Sequence, residues 1–180
     1  LYSDVASIMD TNNYDHTHDH DNFVCSAGSI LHDNINFGRT FIALNGDDYD
    51  LEELERQSMM YLIMHEVGHT LGLNHNMKSS SIYNISELYD ANKLKGKAIS
   101  GSVMDYPALN LNPNPKIKSP YADSSVGHYD KWAIEFGYKP FKSEQERNEI
   151  LSRSTDPLLI FGNDADILYS SRGIDPRVQT

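Results

Sequence analysis

The string HEVGHTLGLNH at residues 65–75 constrains this chain more than any other feature of it. From Leu51 to Leu71 there is one glycine and no proline, and Met60, Met64, Val67 and Leu71 are spaced four, three and four, which predicts an amphipathic helix over 51–71 with that stripe as its apolar face. His65 and His69 then stand one turn apart, so both imidazoles leave the same face about 5–6 Å from each other, close enough for two ring nitrogens to meet one ion. A catalytic zinc takes three protein ligands and keeps its fourth position for water, so a third ligand has to come from beyond the helix end. Gly72 tolerates positive φ, can stop the helix, and can turn the chain sharply enough for His75 to reach the ion. Glu66, beside His65 and three residues before His69, falls at the edge of the metal face, within reach of a metal-bound water. Zinc lowers the pKa of that water from 15.7 toward about 7, and a carboxylate there can take its proton and pass it to a leaving amine. A bare HExxH arises by chance on helices; with Gly72 and His75 at their offsets, the pattern points to a three-histidine metal site and metal-assisted hydrolysis of a carbonyl bond.

The rest of the chain fits one folded domain. Its 180 residues are enough to bury roughly 70% of the unfolded surface. Fifteen Lys and Arg against 26 Asp and Glu give a net charge of −11, the wrong sign for tracking phosphates, so nucleic acid and anionic membranes are not expected partners. No apolar run approaches the roughly 20 residues that span a bilayer, and the first ten residues have neither the basic nor the apolar region of an export signal. The start at Leu1 and the stop after IDPRVQT read as the ends of a piece of a longer protein, in which an export signal would lie upstream.

Along the chain, DTNNYDHTHDHDN at 10–22 reads as an exposed loop, and FIAL at 41–44 fits either a strand or part of a buried helix. A short helix is expected from Ser86 to about Lys95, stopped by Gly96. Residues 106–120 hold four of the seven prolines and should be irregular and wall-forming. A helix is predicted over 125–136, ending at Gly137, with Tyr129, Ala133 and Phe136 on one side. Another follows with Ser143 and Glu146 as a capping box. LLIFG at 158–162 and ILYSS at 167–171 are strand-like runs without an assigned place.

HExxHxxGxxH is the signature of the metzincin clan of zinc metallopeptidases, and the chain resembles that clan in two further places. Ser102-Val103-Met104-Asp105-Tyr106, with Met104 29 residues after His75, is similar to the metzincin Met-turn, whose methionine floors the three histidines. Tyr129-Asp130-Lys131-Trp132-Ala133-Ile134 resembles the clan's C-terminal helix. Over about residues 55–138 the whole resembles a group of large bacterial metzincin-like proteins described as zinc-dependent metalloproteases of unknown substrate. The resemblance implies an α/β or α+β zincin fold, helix-rich, with helix 51–71 at its centre and an irregular C-terminal subdomain. Residues 1–180 would form a single catalytic domain, divided into an upper part (1–72) and a lower part (73–180). It also implies one catalytic Zn2+ on His65, His69 and His75, Glu66 as general base and then acid, and Gly72 and Met104 as structural supports. Tyr106, at the offset where related families place a tyrosine, is either an oxyanion donor or a wall aromatic. The implied partner is a peptide or protein substrate, and the implied location is extracytoplasmic (periplasmic, cell-surface or secreted) in a Gram-negative bacterium.

Two departures accompany the resemblance. The 64 residues before His65 do not show the alternating strands of a metzincin upper subdomain, so that sheet would lie upstream or be reduced. Asn76 stands where better-known families carry other characteristic residues, so no subfamily's specificity transfers. Two rival functions fit the same residues: a zinc-binding module that does not turn over, against which Glu66 argues, and a zinc amidase acting on a non-protein substrate. His16, His18 and His20, interleaved with aspartates, read as a solvated loop rather than a second metal site. Cys25, the single cysteine, reads as a packed structural thiol; a thiolate is a good zinc ligand, but no propeptide-like motif surrounds this one. His128 is given no role.

Overall fold

The computed structural model describes residues 25–46 and 48–163. The first helix, α1 (Ala27–Asn45), takes in the undecided FIAL run as helix and ends at Gly46, whose φ of 102° suits glycine. The second, α2 (Leu51–Thr70), is opened by Asp50, whose carboxylate accepts the Glu53 N–H at 2.9 Å, with Glu52 and Glu53 placed favourably in the first turn. The two helices pack through Leu31 and Ile35 against Tyr61 and Leu62, and through Phe41 and Ile42 about Leu54, joined there by Tyr49 from the turn between them. Gly38 permits the close approach: a Cβ there would meet methyls of Leu54 and Leu109 at 2.9 Å.

The buried face of α2 is not the stripe that spacing picked out. Leu54, Gln57, Ser58, Tyr61, His65 and Gly68 are buried, whereas Val67 is 48% and Leu71 40% exposed. Two of the polar residues on the inner face, Gln57 and Tyr61, find partners on the segments packed against it, while the buried Ser58 hydroxyl has none among the described residues. The Gln57 side-chain oxygen accepts the Tyr121 N–H at 2.7 Å and the Ala122 N–H at 3.2 Å, and Tyr61 donates to the Asp105 carbonyl at 2.5 Å. Hydropathy periodicity cannot register an inward face on which polar groups such as those of Gln57 and Tyr61 are matched by distant partners.

Beyond Gly72 the chain is mostly irregular, as expected. A 3-10 turn (Ser79–Ile82) leads into α3 (Ile85–Leu88), which Asn84 caps in a reciprocal box with Glu87. The helix expected over 86–95 therefore begins one residue earlier and stops after Leu88. Asp90 ends it by accepting the N–H groups of Asn92 and Lys93 at 2.9 and 3.1 Å, an alternative to continued helix. Leu94, fully buried, joins Tyr83 and Ile99 in a small second core. Residues 106–120 are irregular but pinned, with Asn110 donating to the carbonyls of Leu88 and Pro120 at 2.8 Å.

The fourth helix, α4 (His128–Tyr138), starts later than Ser125 and runs through Gly137; α5 (Glu144–Ser152) follows. Ser143 caps α5 by accepting the Glu146 N–H at 3.2 Å, but the Glu146 carboxylate takes the Lys142 N–H at 2.9 Å, one residue earlier than a reciprocal box requires. Pro157–Leu159 forms a 3-10 turn, after which residues 160–162 lie extended against Asn76 and Met77. Among the described residues there is no β-strand, so the expected helix excess is met there while an α/β or α+β layering is not seen in them. No helix among them is long and apolar enough to cross a membrane. The loop 10–22 with His16, His18 and His20, and the run 167–171, lie outside the described residues.

Candidate metal centre

Helix α2 delivers His65 and His69 from one face, and its end is built to bring in His75. Gly72 adopts φ 81°, and the Gly72 and Leu73 N–H groups return to the carbonyls of His69 and Gly68 at 2.9 and 3.0 Å. This paired closure reverses the chain and satisfies carbonyls that a helix end leaves open. As a result His69 Nε2 lies 3.1 Å from His65 Nε2 and 3.1 Å from His75 Nε2.

The tautomers follow from the carbonyls that the outer ring nitrogens face. His65 Nδ1 is 2.7 Å from the Val103 carbonyl and His69 Nδ1 3.1 Å from the Leu73 carbonyl; a carbonyl has no proton to give, so both Nδ1 atoms donate. In neutral rings the Nε2 atoms of His65 and His69 are then both acceptors, and two acceptors at 3.1 Å repel unless a cation lies between them. Backbone carbonyls in these positions are also the usual means of aiming histidine ligands at a metal. Burial holds the wholly buried His65 down to about pKa 3, keeping its ring in the neutral form that ligates metal.

The Ser102–Tyr106 segment forms the floor. Met104 is fully buried against α2 at Gly68, where a Cβ would meet its Sδ at 2.3 Å; the glycine inside HEVGH is thus the space that the sulfur fills. Asp130, 3% exposed on α4, clamps the turn. Its carboxylate accepts Ser102 Oγ at 2.5 Å, the Val103 N–H at 2.9 Å and the Gly127 N–H at 2.8 Å, and Ser102 Oγ accepts the Met104 N–H. Since Val103 also orients His65, the line from Asp130 to the metal face is short. Asn76, fully buried, ties the segment of His75 to the same turn through its N–H to the Met104 carbonyl at 2.9 Å. Its side-chain amide exchanges bonds with Ile160 and Gly162 as a peptide group would.

Tyr106 reaches the histidines: its hydroxyl is 2.9 Å from His75 Nε2. Burial, with the adjacent Cys25 sulfur second, pushes the phenol above its usual range, so it stays protonated and able to donate. Glu66 is exposed at the rim. Cys25 is not packed among apolar side chains as its sequence context suggests. Its Sγ stands 3.4 Å from His65 Nε2, 3.6 Å from Glu66 Oε1 and 3.5 Å from the Tyr106 hydroxyl. Cys25, His65, His69 and His75 each offer one ligand atom, all within 4.8 Å of one another. Beside Tyr106 opens a groove of about 570 Å³ lined by Phe37, Phe41, Tyr83, Leu88, Pro107 and Leu109 among others, so part of the proline-rich stretch does form a wall.

Sequence reasoning thus named the three histidines, Glu66, Gly72, Met104 and Tyr106, all of which gather here, and it gave no role at the site to Gly68, Asn76, Asp130 or Cys25. His128, given no role, opens α4 and is exposed. Comparison with known proteins agrees in kind: a family model described as Met-zincin, a domain of unknown function, matches residues 47–180. No curated protein and no solved structure matches the chain.

Proposed function

The chain belongs to the Met-zincin family, and from that premise we propose that it is a zinc-dependent endopeptidase. The observation that carries this reading is the convergence of three histidine nitrogens, two of them forced by backbone carbonyls to present lone pairs at 3.1 Å. His65, His69 and His75 would hold the ion, and the donor set suits zinc. Zinc held there supplies a Lewis acid that acidifies a water and polarises a carbonyl. Glu66, at the rim and not among the ligands, takes the proton of the attacking water and returns it to the leaving nitrogen. Tyr106, held protonated by burial, donates to the carbonyl oxygen as charge builds on it. The groove beside Tyr106 takes an apolar substrate side chain. The resemblance to exported bacterial proteins supports an extracytoplasmic location.

The test pairs the zinc-loaded chain with Glu66→Ala on a complex protein digest, with new peptide termini counted by mass spectrometry and cell-wall fragments run in parallel. Termini that depend on Glu66 support an endopeptidase and give its preference. Cleavage of the cell-wall fragments alone would assign an amidase. No cleavage by a zinc-bound protein would leave a metal module without turnover.

A further inference from the structure

We propose that Cys25 is the fourth ligand of this centre, and that the conformation described is a closed form in which its sulfur holds the position that water needs. The inference rests on the zinc reading above and adds to it a means of control. Tetrahedral zinc with Zn–N of about 2.0–2.1 Å and Zn–S of about 2.3 Å requires nitrogen–nitrogen edges of about 3.3 Å and sulfur–nitrogen edges of about 3.6 Å. The corresponding separations are 3.1 and 3.1 Å between histidine nitrogens and 3.4 Å from Cys25 Sγ to His65 Nε2, with every remaining edge inside 4.8 Å. A thiol that only filled space would have no reason to sit at this vertex among polar groups.

The same sulfur also engages both groups assigned to catalysis. The Tyr106 hydroxyl points at Cys25 Sγ, and Cys25 Sγ lies 3.6 Å from Glu66 Oε1. As a metal-bound thiolate this one side chain fills the open coordination position, accepts from the Tyr106 hydroxyl and takes the space beside Glu66 that an attacking water needs. A four-donor site of this kind is closed, whereas hydrolysis needs the fourth position open. Cys25 is half-buried, lies before the start of α1 and is followed by an exposed Ser26 whose side chain makes no cap to that helix, so its withdrawal breaks little beyond the Ser26 N–H bond to the Tyr106 hydroxyl at 3.2 Å. On withdrawal the metal–sulfur bond breaks, the thiolate keeps its electron pair and takes a proton from solvent, and a water takes its place on the metal, with no change in oxidation state.

Zinc-edge X-ray absorption on the zinc-loaded chain, wild type beside Cys25→Ser, reads the ligand set directly. Wild type should show one sulfur near about 2.3 Å with nitrogen scatterers, and the variant should bind one zinc per chain without the sulfur. Because Cys25 is the only cysteine, its alkylation by iodoacetamide reports on it alone, and zinc should slow that labelling by about tenfold or more. Cys25→Ser should also cleave protein substrates faster than wild type. Zinc bound without sulfur in wild type overturns the proposal while leaving the histidine site standing. Sulfur at the metal with no gain in cleavage by Cys25→Ser overturns the closing role. Failure of both proteins to bind zinc overturns the metal reading itself, and the proposal with it.

Discussion

Asp130 is the residue whose removal should cost the fold and the site together. Its buried carboxylate is the acceptor for three donors, Ser102 Oγ at 2.5 Å, the Val103 N–H at 2.9 Å and the Gly127 N–H at 2.8 Å. Hydrogen bonds to a charged acceptor contribute about 1.5–3 kcal/mol each, and a buried donor left without a partner costs about 1–3 kcal/mol. Asp130→Ala leaves all three donors without their acceptor, and because the three bonds share that one acceptor their costs do not simply add. Asp130→Ala should therefore lose about 3–5 kcal/mol of unfolding free energy, less than three such losses at full value. Asp130→Asn keeps one acceptor oxygen and should lose about half as much. Urea unfolding followed by far-UV circular dichroism measures both. Zinc affinity should fall in the same order, since Val103 both leans on Asp130 and orients His65. An Asp130→Ala protein within about 1 kcal/mol of wild type and with unchanged zinc affinity would refute the clamp.

Three further outcomes are expected. Gly68→Ala sets a Cβ into the space of Met104 Sδ, costing about 1–3 kcal/mol of overpacking against a gain of about 1 kcal/mol in helix propensity. A net loss in urea unfolding is the expected result, and net stabilisation would show that Met104 can retreat. Tyr106→Phe should lower kcat more than it raises KM on a peptide substrate, as loss of a transition-state contact does; unchanged kcat would return Tyr106 to a wall role. Glu53, held down to about pKa 2 chiefly by its hydrogen bond to Arg56, should titrate there by NMR rather than near 4.5. Because its folded pKa is depressed, its contribution to stability is present above about pH 4.5 and disappears as pH falls through about 2.

The parts of this site that were legible in the sequence are those fixed by local geometry. One helical turn separates His65 from His69, and Gly72 is a single residue whose backbone freedom ends the helix, so ligand spacing follows from the string alone. Met104 and Tyr106 were found by their order and offset in a recognisable motif. Residues that act through distant partners left no such trace. Asp130 looks like an ordinary early-helix acid until Ser102 and Val103 are brought to it across the fold, and Asn76 looks like loop until residues 160–162 lie beside it. Gly68 could have been suspected, since a glycine inside a helix weakens it and calls for a packing reason. Cys25 is 40 residues from His65 in the chain, and only the pairing of α1 with α2 closes that gap. The stripe of Met60, Met64, Val67 and Leu71 misled because the true inner face of α2 is partly polar and matched by hydrogen bonds.

The central claim is that three histidines hold one zinc ion, and metal analysis of protein purified without chelators tests it most directly. Elemental mass spectrometry should find one zinc per chain in wild type and in Glu66→Ala, and far less in a protein carrying both His69→Ala and Cys25→Ser, which keeps only two of the four donors. Full zinc stoichiometry in that protein, folded, would contradict the account.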